Sequence, residues 1–225
     1  MVLMNEIIND DCLNIIEKLD NNSIDVCLTD PPYGIDFQSG QRKNKLPKIT
    51  NDKQPFVDWI EPLFNKMKEG GRLLCFYRWD VQDAVLNEIK RSGFNVKSQI
   101  IWNKVMYGMG DLTGEFSPQH ESIIYATKGR YEFKNKRPST VITVPRKSPD
   151  KLLHPNEKPY KLIEQLLLSI SSENELIFEP FAGSGVLCEV CMNNNRNFIA
   201  TELSDYYFKI AQERISNKTT KHDYF

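Results

Sequence analysis

Apolar positions along the chain follow two periods in turn. Runs rich in Val, Ile, Leu and Phe at 3–9, 24–29 (IDVCLT), 72–77, 95–102, 120–127, 175–179 and 197–202 read as strands. Elsewhere apolar residues recur three and four positions apart, which predicts helices over 11–19 (DCLNIIEKL), 55–69, 79–91, 159–171, 184–193 and 204–216. Pro55 stands near the start of the second helix, Gly70-Gly71 predict its end, and Gly93 stops the third. Residues 38–54 carry no period and predict a mobile loop, and Gly108, Gly110 and Gly114 punctuate another. The segment 130–153 is basic and broken by prolines apart from one β-branched run at 140–144, and the last residues (KTTKHDYF) predict a frayed end. Strands alternating with helices predict an α/β fold: a mostly parallel central sheet with helices on both faces, in a single domain spanning 1–225.

Composition narrows the class. At 225 residues, 40% hydrophobic and 26% charged, the chain can bury a continuous core without disulfides or metals. Five cysteines are an odd number, and Cys27 (VCL), Cys75 (LLCFY) and Cys188 (VLCEV) sit inside apolar runs, which suits a reducing cytoplasm. No window approaches the ~18 apolar residues of a membrane span, and MVLMNEIINDD lacks the features of a signal peptide. A cytoplasmic protein with no membrane partner is expected. The net charge of −1 conceals an asymmetry: residues 41–53 carry +4 and 128–151 carry +6, leaving −11 elsewhere. An acidic body with two basic segments can confine a polyanion to one face, although basic loops are as often simply solvated.

Two segments stand where ligands bind in such sheets, beyond the carboxyl ends of strands. In Phe178-Glu179-Pro180-Phe181-Ala182-Gly183-Ser184-Gly185 the glycines allow close backbone approach, and the following helix offers free N–H groups. Glu202 ends the next strand, placed to accept hydrogen bonds from ribose hydroxyls. Cys188 stands where a dinucleotide fingerprint wants a third Gly, which disfavours a nicotinamide. A nucleoside-type cofactor is expected, with a purely structural turn as the alternative. The other segment is Asp30-Pro31-Pro32-Tyr33. Two prolines hold the chain extended and present the Asp30 carboxylate and a proline carbonyl as neighbouring acceptors, with Tyr33 as an aromatic face. That set suits a planar base with an exocyclic amine; a Pro-Pro turn closing a strand is the bland reading. Cys188-x-x-Cys191 has no second Cys/His pair and reads as helix packing.

With Asp30–Tyr33 (DPPY) preceding 181–185 (FAGSG), the chain resembles S-adenosylmethionine-dependent DNA amino-methyltransferases of the circularly permuted beta group. His154-Pro155-Asn156-Glu157-Lys158-Pro159 resembles that group's HPxxKP segment. Asp11 falls in its GDC segment near the cofactor adenine, with Asp10 replacing the Gly. Trp102-Asn103-Lys104, His120-Glu121 and Lys128-Gly129 resemble further family segments. The resemblance implies a Rossmann-like methyltransferase fold with permuted motif order, S-adenosylmethionine as cofactor with S-adenosylhomocysteine as product, no metal, and double-stranded DNA as partner. It implies catalytic roles for Asp30, Pro31, Pro32 and Tyr33, and cofactor contacts from Asp11, Asp30, Lys158, Phe181, Gly183, Ser184, Gly185 and Glu202. Homodimers are common among such enzymes.

The implied chemistry is methylation of an exocyclic nitrogen whose lone pair is delocalised into its ring. Acceptors at Asp30 and the Pro31 carbonyl would localise that lone pair for attack on the sulfonium methyl. The base must leave the duplex, with Tyr33 stacking on it; Phe37 is a second wall or an ordinary loop aromatic. Arg42, Lys43 and Lys45 in the 38–54 loop, and Lys134, Lys136, Arg137, Arg146 and Lys147 in 130–153, are the expected DNA contacts, with 130–153 as a short target-recognition insertion. His154 is expected to position its loop. His120 and Glu121 either line the cleft or finish a strand. Asp at position 30 favours adenine N6; cytosine N4, or a DNA-binding module with an inactive core, are the alternatives.

Overall fold

A computed structural model describes residues 4–34, 46–47, 54–108, 113–134 and 136–217. Its eight strands are β1 (Glu6–Ile8), β2 (Ile24–Thr29), β3 (Met67–Tyr77), β4 (Asn95–Asn103), β5 (His120–Thr127), β6 (Val141–Thr143), β7 (Leu176–Glu179) and β8 (Asn197–Thr201). The α-helices are α1 (Cys12–Lys18), α2 (Ile60–Lys66), α3 (Gln82–Arg91), α4 (Tyr160–Ile170), α5 (Val186–Asn193) and α6 (Asp205–Ser216). The strands form one sheet in the order β1-β8-β7-β2-β3-β5-β4-β6. All neighbours run parallel except β3–β5 and β5–β4, so β5 alone runs against the others. The expected mostly parallel sheet is present. No described helix is long and apolar enough to cross a membrane.

Side chains alternate across this sheet and build two cores. Leu74 and Phe76 of β3 pack with α4 and α5, where Leu162, Leu166, Leu187 and Val190 are buried. Leu73, Cys75 and Tyr77 face the other way onto α1, α2 and α3, with Ile16, Ile60, Leu63 and Ile89. Helices thus cover both faces, as the alternation required. The helix starts follow local chemistry. Asp11 caps α1 by accepting from the Leu13 N–H at 2.9 Å, Pro159 precedes α4, and Ser204 caps α6. All five cysteines are buried and free, Cys188 and Cys191 on α5.

The helix expected over 55–69 ends instead at Lys66, and Gly70-Gly71 lie within β3. Met67 is fully buried and pairs with Ile24, and this tertiary contact overrides the helical period. Asp25 alone opposes residues 68–71, so the glycines form a bulge, not a helix cap. Gly70 takes φ +76° there and donates its N–H to the Lys128 carbonyl at 2.8 Å. Most of the 38–54 loop, and the terminal 218–225, lie outside the described residues.

The segment after β5 does not stay on one side of the molecule. Lys128 donates to the Phe64 and Met67 carbonyls at 3.0 and 2.8 Å, Tyr131 lies under the Arg72 guanidinium, and Lys134 reaches Ser172 Oγ at 3.0 Å. These contacts are at the amino-terminal edge of the parallel strands. The chain then climbs, pairs β6 with the upper end of β4 (Ile101↔Val141), and arrives at the carboxyl edge with Arg146 and Lys147.

Gly185 introduces α5 at φ +77°, and a Cβ there would sit 3.0 Å from Ala211 Cβ on α6. Gly185→Ala should therefore destabilise the fold by about 1–2 kcal/mol from the left-handed conformation alone, read as a lowered denaturation midpoint.

Candidate active site

β2 and β7 are adjacent parallel strands, so the segments that follow them emerge together at one edge. Asp30 follows β2. Its Oδ1 accepts the Tyr33 hydroxyl, and its Oδ2 meets Lys158 Nζ at 2.5 Å. The DPPY turn is anchored by the Phe56 N–H, which donates to the Pro32 carbonyl at 3.2 Å, and by a bridge from Tyr33 to Pro55. Lys158 also lies 3.2 Å from Glu121 Oε2 and over the Phe76 ring, while Lys104 donates to Glu121 Oε1 at 3.3 Å. Burial pushes the Asp30 carboxyl above its ordinary range, and the Lys158 charge opposes that rise. Burial likewise disfavours the Lys158 ammonium, yet Asp30 and then Glu121 hold it above the usual lysine value. Glu121 feels the same burial and is nevertheless held low by Lys158 and Lys104. Tyr33 is pushed well up, first by burial and then by Asp30.

A cleft of about 710 Å³ opens beside this cluster, bordered by Asp11, Asp30, Pro31, Phe181, Gly183 and Glu202. Glu202 is pinned: its Oε2 accepts the Gly183 N–H and its Oε1 the Ser204 N–H, both at 2.8 Å, while burial raises its pKa. Phe181 stacks edge-on against Phe56 and Trp59. A deeper recess of about 480 Å³ is lined by Thr29, Glu179 and Ser184 as well as Asp30 and Gly183. Burial holds the Glu179 carboxyl well above its ordinary range, and Thr29 Oγ1 is buried without a described hydrogen-bond partner. A buried hydroxyl with no described partner at the lining of a recess fits a ligand that carries its own polar groups. On the far side of Lys158 lies a larger cleft, about 1640 Å³, lined by Tyr33, Trp79, Lys104, Glu121, Arg146 and Lys147 among others. Asp30, Tyr33 and Lys158 stand at the junction of the two sides.

Residues 24–213 match the family N6_N4_Mtase, described as DNA methylase. The chain belongs to the DNA methylase family. YubD of Escherichia coli K12 is 29% identical over 95% of this chain and 91% of its own length. The type II methyltransferase M.HpaI of Haemophilus parainfluenzae is 27% identical, over 92% of this chain and 74% of its own. Among solved structures, M1.HpyAVI in complex with SAM superposes with a TM-score of 0.73 at 25% identity, covering 93% and 98% of the two chains. The PvuII methyltransferase (cytosine-N4-specific) shares the fold at TM-score 0.74 and 16% identity. The resemblance to S-adenosylmethionine-dependent DNA amino-methyltransferases, and the Rossmann-like fold it implied, are borne out.

In this DNA methylase the structure gathers Asp11, Asp30, Pro31, Pro32, Phe181, Gly183 and Glu202 around one cleft, with Tyr33 and Ser184 adjoining. Lys158, expected at the cofactor, binds the Asp30 carboxylate. Gly185 packs against α6 and lines neither cavity. Arg146 and Lys147 reach the large cleft, where Lys147 is paired with Glu157 at 2.8 Å. Lys134 is not brought to that cleft: it bonds Ser172 Oγ at the opposite edge of the sheet, before the chain reaches β6 and pairs with β4. Lys136 and Arg137 are exposed upstream of β6. Phe37, Arg42, Lys43 and Lys45 lie outside the described residues. The sequence left Glu121 undecided, and its place in the cluster follows from the reversed direction of β5, which puts the strand's first residues at the carboxyl edge of its neighbours.

His154 is wedged between Gly183 and Tyr207, with ring centroids 4.4 Å apart in the latter pair, and its Nδ1 accepts the Asn156 N–H at 3.2 Å. Burial, then the Lys158 charge, pushes its pKa down from 6.5 to about 4. The unfolded chain takes up this proton first, so stability present above pH 6.5 is lost as pH falls towards 4, on the order of 3 kcal/mol in all. Denaturant titrations of His154→Gln across that window should show a flatter pH dependence than wild type.

Proposed function

We propose that this methylase transfers a methyl group from S-adenosylmethionine to the N6 amine of an adenine flipped out of double-stranded DNA. The observation that carries the reading is the Asp30 carboxylate, which lines a cleft holding the pinned Glu202 carboxylate and bonds Tyr33 and Lys158, which line a second, open cleft edged by Arg146 and Lys147. Bound in the first cleft, S-adenosylmethionine would supply an electrophilic methyl, with the amine nitrogen bonding to its carbon as the carbon–sulfur bond breaks and S-adenosylhomocysteine departing with the electron pair. Asp11, Phe181, Gly183, Ser184 and Glu202 would hold it, with Glu202 accepting from ribose hydroxyls through its remaining lone pairs.

The chain's own contribution is positioning and electrostatics. Burial raises the Asp30 pKa, and the Lys158 ammonium opposes that rise and so favours the ionised, accepting form. With Asp30 and the Pro31 carbonyl accepting its N–H bonds, the target nitrogen pyramidalises and its lone pair turns towards the methyl. The amine proton then passes to Asp30 or to solvent. Tyr33, locked by its bond to Asp30, offers a rigid face to the extruded base, and flipping itself costs a few kcal/mol. Arg146 and Lys147 replace the whole 130–153 segment as the cleft-side part of the proposed recognition insertion. Methylation of cytosine N4 would use the same acceptors, and the family name spans both; Asp at position 30 favours adenine.

Incubation with labelled S-adenosylmethionine and unmethylated DNA, followed by nucleoside mass spectrometry, should yield N6-methyladenosine; N4-methylcytidine would overturn the base assignment. Asp30→Ala should lower turnover by about 10²–10³-fold while S-adenosylmethionine still raises the melting temperature, and retained turnover would remove its role. Arg146→Ala should reduce the salt slope of DNA binding by about 1; an unchanged slope would take it out of the interface.

A further inference from the structure

The proposed chemistry asks Asp30 to accept from an incoming amine, yet its Oδ2 already holds an ammonium. Lys158 is buried and spends its hydrogen bonds on Asp30 at 2.5 Å and on the Asn156 carbonyl at 3.4 Å. Glu121 Oε2 is buried and ion-paired to the same nitrogen at 3.2 Å, a longer and less well-aligned contact than the one Asp30 receives. Its other oxygen is steadied by Lys104. A buried carboxylate oxygen that an ammonium touches but does not yet bond squarely is a second position for that ammonium to occupy.

We propose that Glu121 is a positioning residue for methyl transfer: it is the alternative seat of the Lys158 ammonium, which swings from Asp30 Oδ2 to Glu121 Oε2 as the target amine takes its place. The inference rests on the reading of Asp30 as the amine's acceptor. The swing requires no proton transfer and moves the charge within one cluster, so the two carboxylates and two lysines stay balanced throughout. It also separates Lys158 from the positive charge that develops on the methylated nitrogen, where an unmoved ammonium would oppose the reaction. Before the base arrives, the same ammonium favours the ionised form of Asp30. Glu121 touches neither methyl donor nor acceptor in this scheme; it acts through Lys158.

The test is steady-state transfer to unmethylated DNA by the full chain carrying Glu121→Gln or Glu121→Asp, with S-adenosylmethionine affinity measured separately by calorimetry. Glu121→Gln should lower kcat on the order of 10–100-fold, with KM for DNA and cofactor affinity within about twofold of wild type, and Glu121→Asp should recover most of the loss. A wild-type kcat in Glu121→Gln, a loss confined to KM, or no recovery in Glu121→Asp would overturn the proposal. Failure of the wild-type chain to methylate DNA would instead bring down the functional reading beneath it.

Discussion

The pairing of β2 with β7 sets the geometry on which everything else depends. Val26 and Cys27 lie beside Ile177 and Phe178, about 150 residues away in sequence, and both strands run the same way. Parallel neighbours end at one edge, so the turn carrying Asp30 and the turn carrying Phe181 and Gly183 must emerge together. β8, paired with β7, adds Glu202 at the same edge. The site is therefore a property of strand order, and apolar burial on both faces of the sheet keeps that order in register.

A second constraint is electrostatic. Asp30, Glu121, Lys104 and Lys158 form a cluster with no net charge, largely removed from water. Each ion alone would carry a desolvation penalty of several kcal/mol, and removal of any one leaves its partners uncompensated. The lysine is placed by the segment before α4. There Glu157 accepts from the Leu153 N–H at 2.6 Å and from Lys147 and Arg214 at 2.8 and 2.7 Å, which ties the 153–158 turn to α6. His154, neutral and packed under Gly183, completes that brace. The brace holds Lys158 over the cluster, and the cluster poises Asp30.

The basic residues show how little sequence proximity says about position. Lys134 and Arg146 belong to the same charge-rich segment, yet one binds Ser172 at the amino-terminal edge of the sheet and the other edges the large cleft. β6 accounts for the difference: three residues pairing with β4 carry the chain to the other end of the strands. Lys128, in the same basic run, caps backbone carbonyls beneath α2 and the start of β3 and has no part in the cleft.

Local chemistry made much of this molecule legible from residues alone. Period-two and period-3.6 patterns located nearly every strand and helix. DPPY and FAGSG named the two turns of the site, because these signals depend on neighbours a few residues apart. Where a distant partner decided, the residues were silent or misleading. Met67 and Gly70-Gly71 read as the end of a helix but lie in β3, since Ile24 and Lys128 complete their bonding across the fold. Asp30 and Glu121 gave no sign of sharing Lys158, because only the reversed β5 and the turn before α4 bring them within reach. Periodicity and turn chemistry are encoded in adjacent residues; the direction of a strand, and the company a buried charge keeps, come from contacts that exist only once the chain has closed on itself.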